Sequence, residues 1–391
     1  MRGRLYDRRR RPRKLAAGAA AVVVCPARPQ GAILCLRMKG KRQHGKSRVI
    51  TSAAPIRVCD NGGWTDTWFA RYGRVFHIAV RPHVEVQVEV RRRTSDEPHI
   101  LVNAENLSNS NDGEAHGGPL IEAAIARMIV PEEFAVRVSI FSEAPVGAST
   151  GTSASVTVAL LGALDRLTPG RLSPREIAYL AHSVETEALG RQSGIQDQLC
   201  AAYGGANYIE IDRYPHARVS RVAASQEVLW ELERRLSLVY LGRAHCSSDV
   251  HEKVIKCLAD SGPDCKQLEG LRRTAGASRD ALSAGDFAAL GRAMVENTEA
   301  QARLHPDIIS VDAARVIEVA RRHGALGWKV NGAGGEGGSV TILGGDSSAR
   351  ARAMLAEVEA ADPCFRRLPV SLSREGLRVW ERTPDSLPLA Q

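Results

Sequence analysis

At 391 residues, with 44% apolar and 25% charged side chains and no long low-complexity block, the sequence can build two folded domains and excludes a fibrous or wholly disordered chain. Its net charge of +9 is unevenly placed: residues 1–50 hold fifteen Lys/Arg against one acid, Asp7, while the other 341 residues hold 38 basic and 43 acidic side chains. A nucleic-acid-binding fold is thereby set aside, because the basic stretch at 8–14 supports at most a nonspecific phosphate-binding arm.

Residues 1–48 run basic, then apolar over 15–25, then Pro26, which is the outline of a secretory signal. The Ala/Val-rich apolar part and the lack of a clean small-residue cleavage site argue instead for a basic, disordered extension. No run of about 18 apolar residues occurs, so no membrane-spanning helix is expected. Eight cysteines (Cys25, Cys35, Cys59, Cys200, Cys246, Cys257, Cys265 and Cys364) are scattered without a CxxC pair, as in reduced, cytoplasmic proteins. Cys246, Cys257 and Cys265 lie near His245 and His251, but at no usual zinc spacing.

Ordered structure is expected from about Val49. Val84, Val86, Val88 and Val90 alternate with Glu85, Gln87 and Glu89, the period of a half-exposed strand over 75–90. Residues 103–118, rich in Asn, Ser, Gly and His, read as a loop, followed by a helix over 119–129 and a strand over 134–141. That strand runs into Glu143-Ala-Pro-Val-Gly-Ala-Ser-Thr-Gly-Thr-Ser-Ala-Ser155 and then an Ala/Leu-rich helix over 156–167. A second helix over 174–189 leads to Gly190-Arg-Gln-Ser-Gly-Ile-Gln-Asp-Gln198. A strand at 236–241 opens a second half, with helices at about 249–259, 265–283, 287–299 and 311–323. A glycine-rich turn at 331–338, a strand at 339–343 and a helix over 347–360 complete the pattern, and no internal repeat is visible.

The loop at 145–155 admits two readings. Strand, Gly/Ser loop and helix start together aim free backbone N–H groups and the positive helix end at an anion, worth roughly 0.3–1 kcal/mol for the dipole alone. Gly147 and Gly151 let a ligand approach the backbone, and Thr152, Ser153 and Ser155 add hydroxyls. The same residues also make an ordinary helix cap without any ligand. No Lys follows the last glycine, so the common GxxxxGK[ST] phosphate loop is absent.

Pro145-Val-Gly-Ala-Ser-Thr-Gly-Thr-Ser-Ala-Ser155 resembles the second motif of the GHMP kinases (galactokinase, homoserine kinase, mevalonate kinase and phosphomevalonate kinase). Ala54-Pro-Ile-Arg-Val-Cys-Asp-Asn-Gly-Gly-Trp-Thr-Asp66 resembles the first motif and Lys329-Val-Asn-Gly-Ala-Gly-Gly-Glu-Gly-Gly338 the third, in the family's order. The resemblance covers about 50–382. It implies an α+β fold of two domains: an N-terminal α/β domain over 49–225 carrying the phosphate loop, and a C-terminal ferredoxin-like α/β domain over 226–382. Residues 383–391 are left as a tail.

It also implies ATP and magnesium as cofactors. ATP falls to Pro145, Gly147, Ser149, Gly151, Thr152, Ser153 and Ser155, and the active-site glycine turn to Gly332, Gly334 and Gly335. The segment Glu185-Thr-Glu-Ala-Leu-Gly-Arg-Gln-Ser-Gly-Ile-Gln-Asp-Gln198 is similar to the acidic helix and G-x-x-D-Q turn of the family's sugar kinases. By that similarity Asp197 is the catalytic aspartate, Arg57 its cationic partner, and Glu185 with Ser153 the magnesium ligands. Glu185 and Glu187 are two residues apart on a helix and point to different faces, so only one is expected to reach the metal.

Where galactokinases carry Glu-His, this chain has Gly63-Trp64, and its Gly-Gly-x-Thr-Asp form resembles the branch containing D-glycero-D-manno-heptose 7-phosphate kinase and L-fucokinase. Gly63, Trp64 and Asp66 would then meet the sugar. The implied reaction is phosphorylation of the anomeric hydroxyl of a sugar or sugar phosphate, heptose 7-phosphate ahead of L-fucose; a catalytically inactive sugar sensor is the alternative. A phosphate on the sugar would need cations, for which Arg71, Arg74, Arg81 or Arg243 with His245 are available, and Trp64 and Trp68 could stack on the ring. A homodimer is compatible with this reading, and a membrane partner is not expected.

Overall fold

In the computed structural model, which describes residues 47–105, 118–145, 147–169, 171–243, 247–258 and 261–382, the first strand, β1 (Arg48–Asn61), pairs antiparallel with β2 (Gly73–Arg92). The alternation read from Val84 to Val90 holds: the valines are buried while Glu85, Gln87 and Glu89 face solvent. Of the extension expected over 1–48, residues 1–46 lie outside the described residues and Arg48 already begins β1; most of the 103–118 loop, His245, Cys246 and the tail at 383–391 also lie outside them.

After β3 (Ile100–Glu105), α1 (Gly118–Ala126) and β4 (Phe134–Ser142), the chain enters α2 (Thr152–Leu164). Then follow α3 (Pro174–Ser183), α4 (Gln196–Tyr203), and the hairpin β5 (Ala206–Arg213) and β6 (His216–Arg221). The second half contains α5 (Gln226–Arg235), β7 (Leu236–Tyr240), α6 (Ser247–Leu258), α7 (Lys266–Ala284), α8 (Phe287–Ala302) and α9 (Val311–Arg322). Strands β8 (Gly327–Val330) and β9 (Ser339–Leu343), helix α10 (Ser348–Ala361), and strands β10 (Arg366–Leu368), β11 (Ser371–Leu372) and β12 (Arg378–Arg382) follow.

Two sheets organise these elements. The first has the path β12-β1-β2-β4-β3, with β5 and β11 on the remaining length of β2 and β6 on β5; all pairs are antiparallel except β3 with β4. Under it lies α2, apolar on every side and therefore buried all round, with Leu160, Leu161 and Leu164 wholly inaccessible. Full burial of one such leucine stabilises the fold by about 1.5–3 kcal/mol. The second sheet is antiparallel in the order β10-β7-β9-β8, the ferredoxin-like arrangement, with α9 and α10 sharing its core through Val316, Ile342 and Val358. Helices α7 and α8 share a further core with β1 and β2 through Ile56, Phe76, Leu282 and Met294.

The helix expected over 156–167 begins at Thr152, since Gly151 in a left-handed conformation (φ 72°) turns the chain into it; a short 3-10 turn, Asp165–Leu167, ends it. The helix expected over 174–189 starts with Pro174 behind the Ser173/Glu176 capping box, as its sequence suits, but stops at Ser183. Residues Val184–Ala188 form a π turn there. Strands β11 and β12, inside the expected C-terminal half, return to β2 and β1 of the first sheet.

Candidate active site

A cavity of about 390 Å³ opens where the start of α2, the loop before α4, β1 and the 331–333 turn converge. Gly147, Ser149, Gly151, Thr152 and Ser153 of the loop line it. Gly147 (φ 75°), Ser149 (φ 56°) and Gly151 are left-handed, and a Cβ on Gly151 would lie 3.2 Å from the Asp197 carboxylate. No side chain caps α2, so the backbone N–H groups of its first turn stay available beside the exposed Ser153 hydroxyl. Two residues expected to bind ATP take no part in this wall. The Ser155 hydroxyl is buried and donates to the Pro55 carbonyl (2.7 Å), tying α2 to β1, and the Pro145 carbonyl accepts from the Ala148 N–H (3.3 Å), shaping the loop from behind.

Arg57, on β1, and Asp197, in the first turn of α4, face each other across the cavity floor. Arg57 Nε donates to Asp197 Oδ1 at 2.8 Å and Nη2 to Oδ2 at 3.1 Å, a two-pronged pairing, and Nη1 donates to the Ser149 carbonyl. The Arg57 backbone N–H also donates to the Thr150 carbonyl (2.9 Å), fastening β1 to the loop. Burial works against the guanidinium charge, but Asp197 and Asp60 outweigh it and hold Arg57 protonated.

Asp60 and Lys329 form a second buried pair that the sequence reading did not single out as functional. Their side chains are wholly inaccessible and 3.0 Å apart, and Asp60 also accepts the Gly332 N–H at 3.0 Å. Burial alone would raise the Asp60 carboxyl, but Lys329 and Arg57 hold it below its ordinary range. The pair joins the first sheet to the 331–338 turn behind Arg57. A lone lysine between Trp328 and Val330 in a short apolar strand was the available signal.

Gly332 lies at the cavity: a Cβ there would come within 3.1 Å of the Ser149 Cβ and 3.3 Å of Arg57 Nη2. Gly334 and Gly335, expected beside it, are displaced from the site. A Cβ on Gly334 would lie 2.4 Å from the Ile308 carbonyl, and Gly335 N–H donates to that carbonyl (2.8 Å), so both serve packing against the 306–308 turn.

On the opposite wall Asp66 is buried and accepts the Gln196 N–H at 3.0 Å; desolvation, aided by Asp197, pushes its carboxyl up to about 6. Trp64 lines the wall in a left-handed conformation, whereas Gly63 sits behind it, where a Cβ would lie 3.0 Å from Asp60 Oδ2. Glu185 reaches the cavity from the π turn, buried, with its carboxyl raised by desolvation and by Asp197. Glu187 points outward and pairs with Arg127 at 3.3 Å, so the two acids separate as expected. Among the described residues Arg57 and Arg191 are the cations lining the cavity. Arg71, Arg74 and Arg81 lie on the exposed surface away from it, and Trp68 packs edge-on against Phe69 rather than lining it. Arg243 stands behind the glycine turn, its carbonyl accepting Gly338 N–H at 3.2 Å. A cleft of about 500 Å³ near α10, lined by Arg235, His323 and Arg350, contains none of these groups.

The oxygen-rich donor set suits a hard cation. Glu185 and the Ser153 hydroxyl line one cavity and could supply two ligands, too few to hold a metal without phosphate oxygens from a nucleotide. The arrangement as a whole offers an anion-binding helix start, a carboxylate held in place by a fixed guanidinium, and a polar wall for a second substrate.

The family models for the "GHMP kinases N terminal domain" and "GHMP kinases C terminal" match residues 120–205 and 278–362. The D-glycero-alpha-D-manno-heptose 7-phosphate kinase of Campylobacter jejuni is 24% identical over 299 residues, covering 74% of this chain and 88% of that protein. The mevalonate kinase of Thermococcus sibiricus is 32% identical over 253 residues, covering 62% of this chain and 69% of that protein. Among solved structures, a D-glycero-D-manno-heptose 1-phosphate kinase from Bacteriodes thetaiotaomicron superposes with a TM-score of 0.64 at 22% identity, over 85% of this chain and 98% of that one.

Proposed function

We propose that this chain, which belongs to the GHMP kinase family of ATP-dependent phosphotransferases, phosphorylates the anomeric hydroxyl of a sugar or sugar phosphate, with D-glycero-D-manno-heptose 7-phosphate as the first candidate. The observation that carries the reading is the placement of Asp66, which accepts Gln196 N–H at 3.0 Å one residue before Asp197. A carboxylate there can hold sugar hydroxyls next to the group that handles the reacting one. The heptose 7-phosphate kinase of C. jejuni supports the substrate class, and an L-fucose-like free sugar is the alternative acceptor.

In this reading the backbone and hydroxyls of 147–153 hold the ATP phosphates, and Asp197 orients the acceptor hydroxyl and takes its proton. Arg57 fixes the Asp197 carboxylate through two hydrogen bonds and faces the transferring group. Magnesium, held by Glu185, Ser153 and the nucleotide phosphates, would offset charge on the phosphoryl oxygens. A complete Arg57–Asp197 pair beside an uncapped helix start favours an active enzyme over a sugar sensor. The halves 49–225 and 226–382 are proposed as its two domains, and cytoplasmic location follows from the need for ATP. None of the helices among the described residues is long and apolar enough to cross a membrane.

The similarity to a mevalonate kinase gives a second reading, an acyclic alcohol acceptor. A screen of ATP consumption with free sugars, sugar 7-phosphates, mevalonate and homoserine, with NMR location of the new phosphate, separates the two. Phosphorylation at the anomeric carbon is expected. Turnover of mevalonate or homoserine alone, or of no acceptor at all, would overturn the sugar reading.

A further inference from the structure

We infer that Gln196 is a specificity-determining residue, its side-chain amide oxygen accepting a hydrogen bond from a hydroxyl of the phosphoryl acceptor. This rests on the sugar-kinase reading above and deepens it, by stating what the acceptor must present at one place on the wall.

Gln196 is 7% exposed and lines the cavity between Asp66 and Asp197. Its backbone N–H is committed to Asp66 (3.0 Å), and it begins α4, so its position is set by the same helix that carries Asp197. The amide oxygen is buried and has no hydrogen-bond partner among the described residues. A buried amide oxygen left unpaired is costly, and the groups that remain so in a folded protein call for a ligand or another explanation. The residue as a whole lines the cavity, so a hydroxyl seated against that wall can reach the oxygen once the amide turns toward it. On the other side the backbone of Gly63 comes close to the amide nitrogen; a Cβ at Gly63 would stand 3.1 Å from Nε2. The side chain is therefore backed by the turn of the first motif.

The chemistry around that oxygen selects the ligand group. Asp60, Asp66, Asp197 and Glu185 are the carboxylates lining the same cavity, so acceptors predominate around Gln196. A matching ligand presents donors, and neighbouring hydroxyls of a polyol do so without charge, one to Asp66 and the next to Gln196. A carboxylate at this point would stand against the Asp66 and Asp197 carboxylates, whose charges repel it. Any anionic group on the substrate belongs instead at the rim, where Arg191 is exposed. Trp64, on the same side, offers an apolar face for the C–H edge of a ring.

The test compares wild-type protein with Gln196→Leu and Gln196→Met, using the sugar that wild type phosphorylates and its monodeoxy analogues, with KM for ATP measured in parallel. The expected result is a 10- to 100-fold rise in acceptor KM for both variants with KM for ATP within about twofold. One monodeoxy analogue should lose the same factor on wild type and nothing further on the variants. Wild type that turns over sugars while both variants keep their acceptor KM overturns the inference and leaves the sugar reading standing. If the variants do not fold, wild type decides alone: equal turnover of every monodeoxy analogue overturns the inference. Wild type that accepts no sugar overturns the reading and the inference together.

Discussion

Arg57 and Asp197, 140 residues apart in sequence, meet through two parallel hydrogen bonds of 2.8 and 3.1 Å, so strand β1 and helix α4 are joined at the point where phosphoryl transfer is proposed. Replacing Asp197 by Asn keeps the shape and removes the charge. Turnover is expected to fall by about 10²–10⁴-fold with nucleotide affinity nearly unchanged, read by steady-state kinetics beside equilibrium ATP binding. Unchanged turnover would remove Asp197 from the mechanism.

Arg57→Lys tests the fork rather than the charge. An ammonium cannot reach both Asp197 oxygens and the Ser149 carbonyl together. We expect kcat to drop by about 100-fold, as for loss of one preorganised transition-state donor, with little change in acceptor KM. A variant with wild-type kcat would show that charge alone suffices.

Lys329→Met leaves Asp60 buried beside Arg57 without its 3.0 Å partner. Breaking such a pair costs roughly 3–5 kcal/mol, whereas replacing both members by apolar side chains is often nearly neutral. Chemical denaturation of Lys329→Met, of Asp60→Leu and of the double variant should therefore show the double change costing less than the two single changes summed.

Asp66 sets a pH dependence. Burial holds its folded carboxyl at about 6 against an ordinary 3.8, so between these values the folded state binds the proton more readily than the unfolded one. Its ionised form thus works against the fold at neutral pH, and stability on this account rises as pH falls from 7 to 4, by roughly 3 kcal/mol at most. Binding runs the other way, since a protonated Asp66 is a poorer acceptor for sugar hydroxyls. Acceptor KM should rise below about pH 6 in wild type, and Asp66→Asn should lose both trends. Parallel pH profiles of stability and KM for the two proteins check this.

Gly151→Ala places a Cβ in a left-handed conformation and 3.2 Å from the Asp197 carboxylate. The backbone cost alone is about 1–2 kcal/mol. A loss of kcat beyond that stability cost is expected, because the methyl group pushes on Asp197; thermal melting and kinetics on one preparation separate the two.

Much of this site was legible because its chemistry is concentrated in short segments. Gly147 and Gly151 are needed for left-handed turns, and Arg57, Asp66 and Asp197 are charged residues in otherwise apolar or Gly-rich runs. What was misread depends on direction, which spacing does not carry. Ser155 looks like Ser153 in the sequence, yet one hydroxyl turns to the Pro55 carbonyl and the other to the cavity. Gly334 packs on Ile308 and Gly335 N–H bonds its carbonyl, whereas Gly332 faces Ser149. The Asp60–Lys329 pair was missed since its partners are 269 positions apart, and no local pattern links them. The break between α3 and the π turn was hidden because the helical periodicity runs on through Val184.

Strand β12 closes against β1, with Arg378 opposite Ala53 and Arg382 opposite Val49. The strand that carries Arg57 thus obtains its second neighbour from the last described residues of the chain. Emerging from a ribosome at about 5–20 residues per second, β1 waits some tens of seconds with that edge unpaired. Such a late, long-range closure makes folding slow, and it leaves the nascent β1 edge open to pairing with other chains. The edge of the strand that carries Arg57 is therefore closed only after residues 378–382 have been made, long after the phosphate loop at 147–153 is complete.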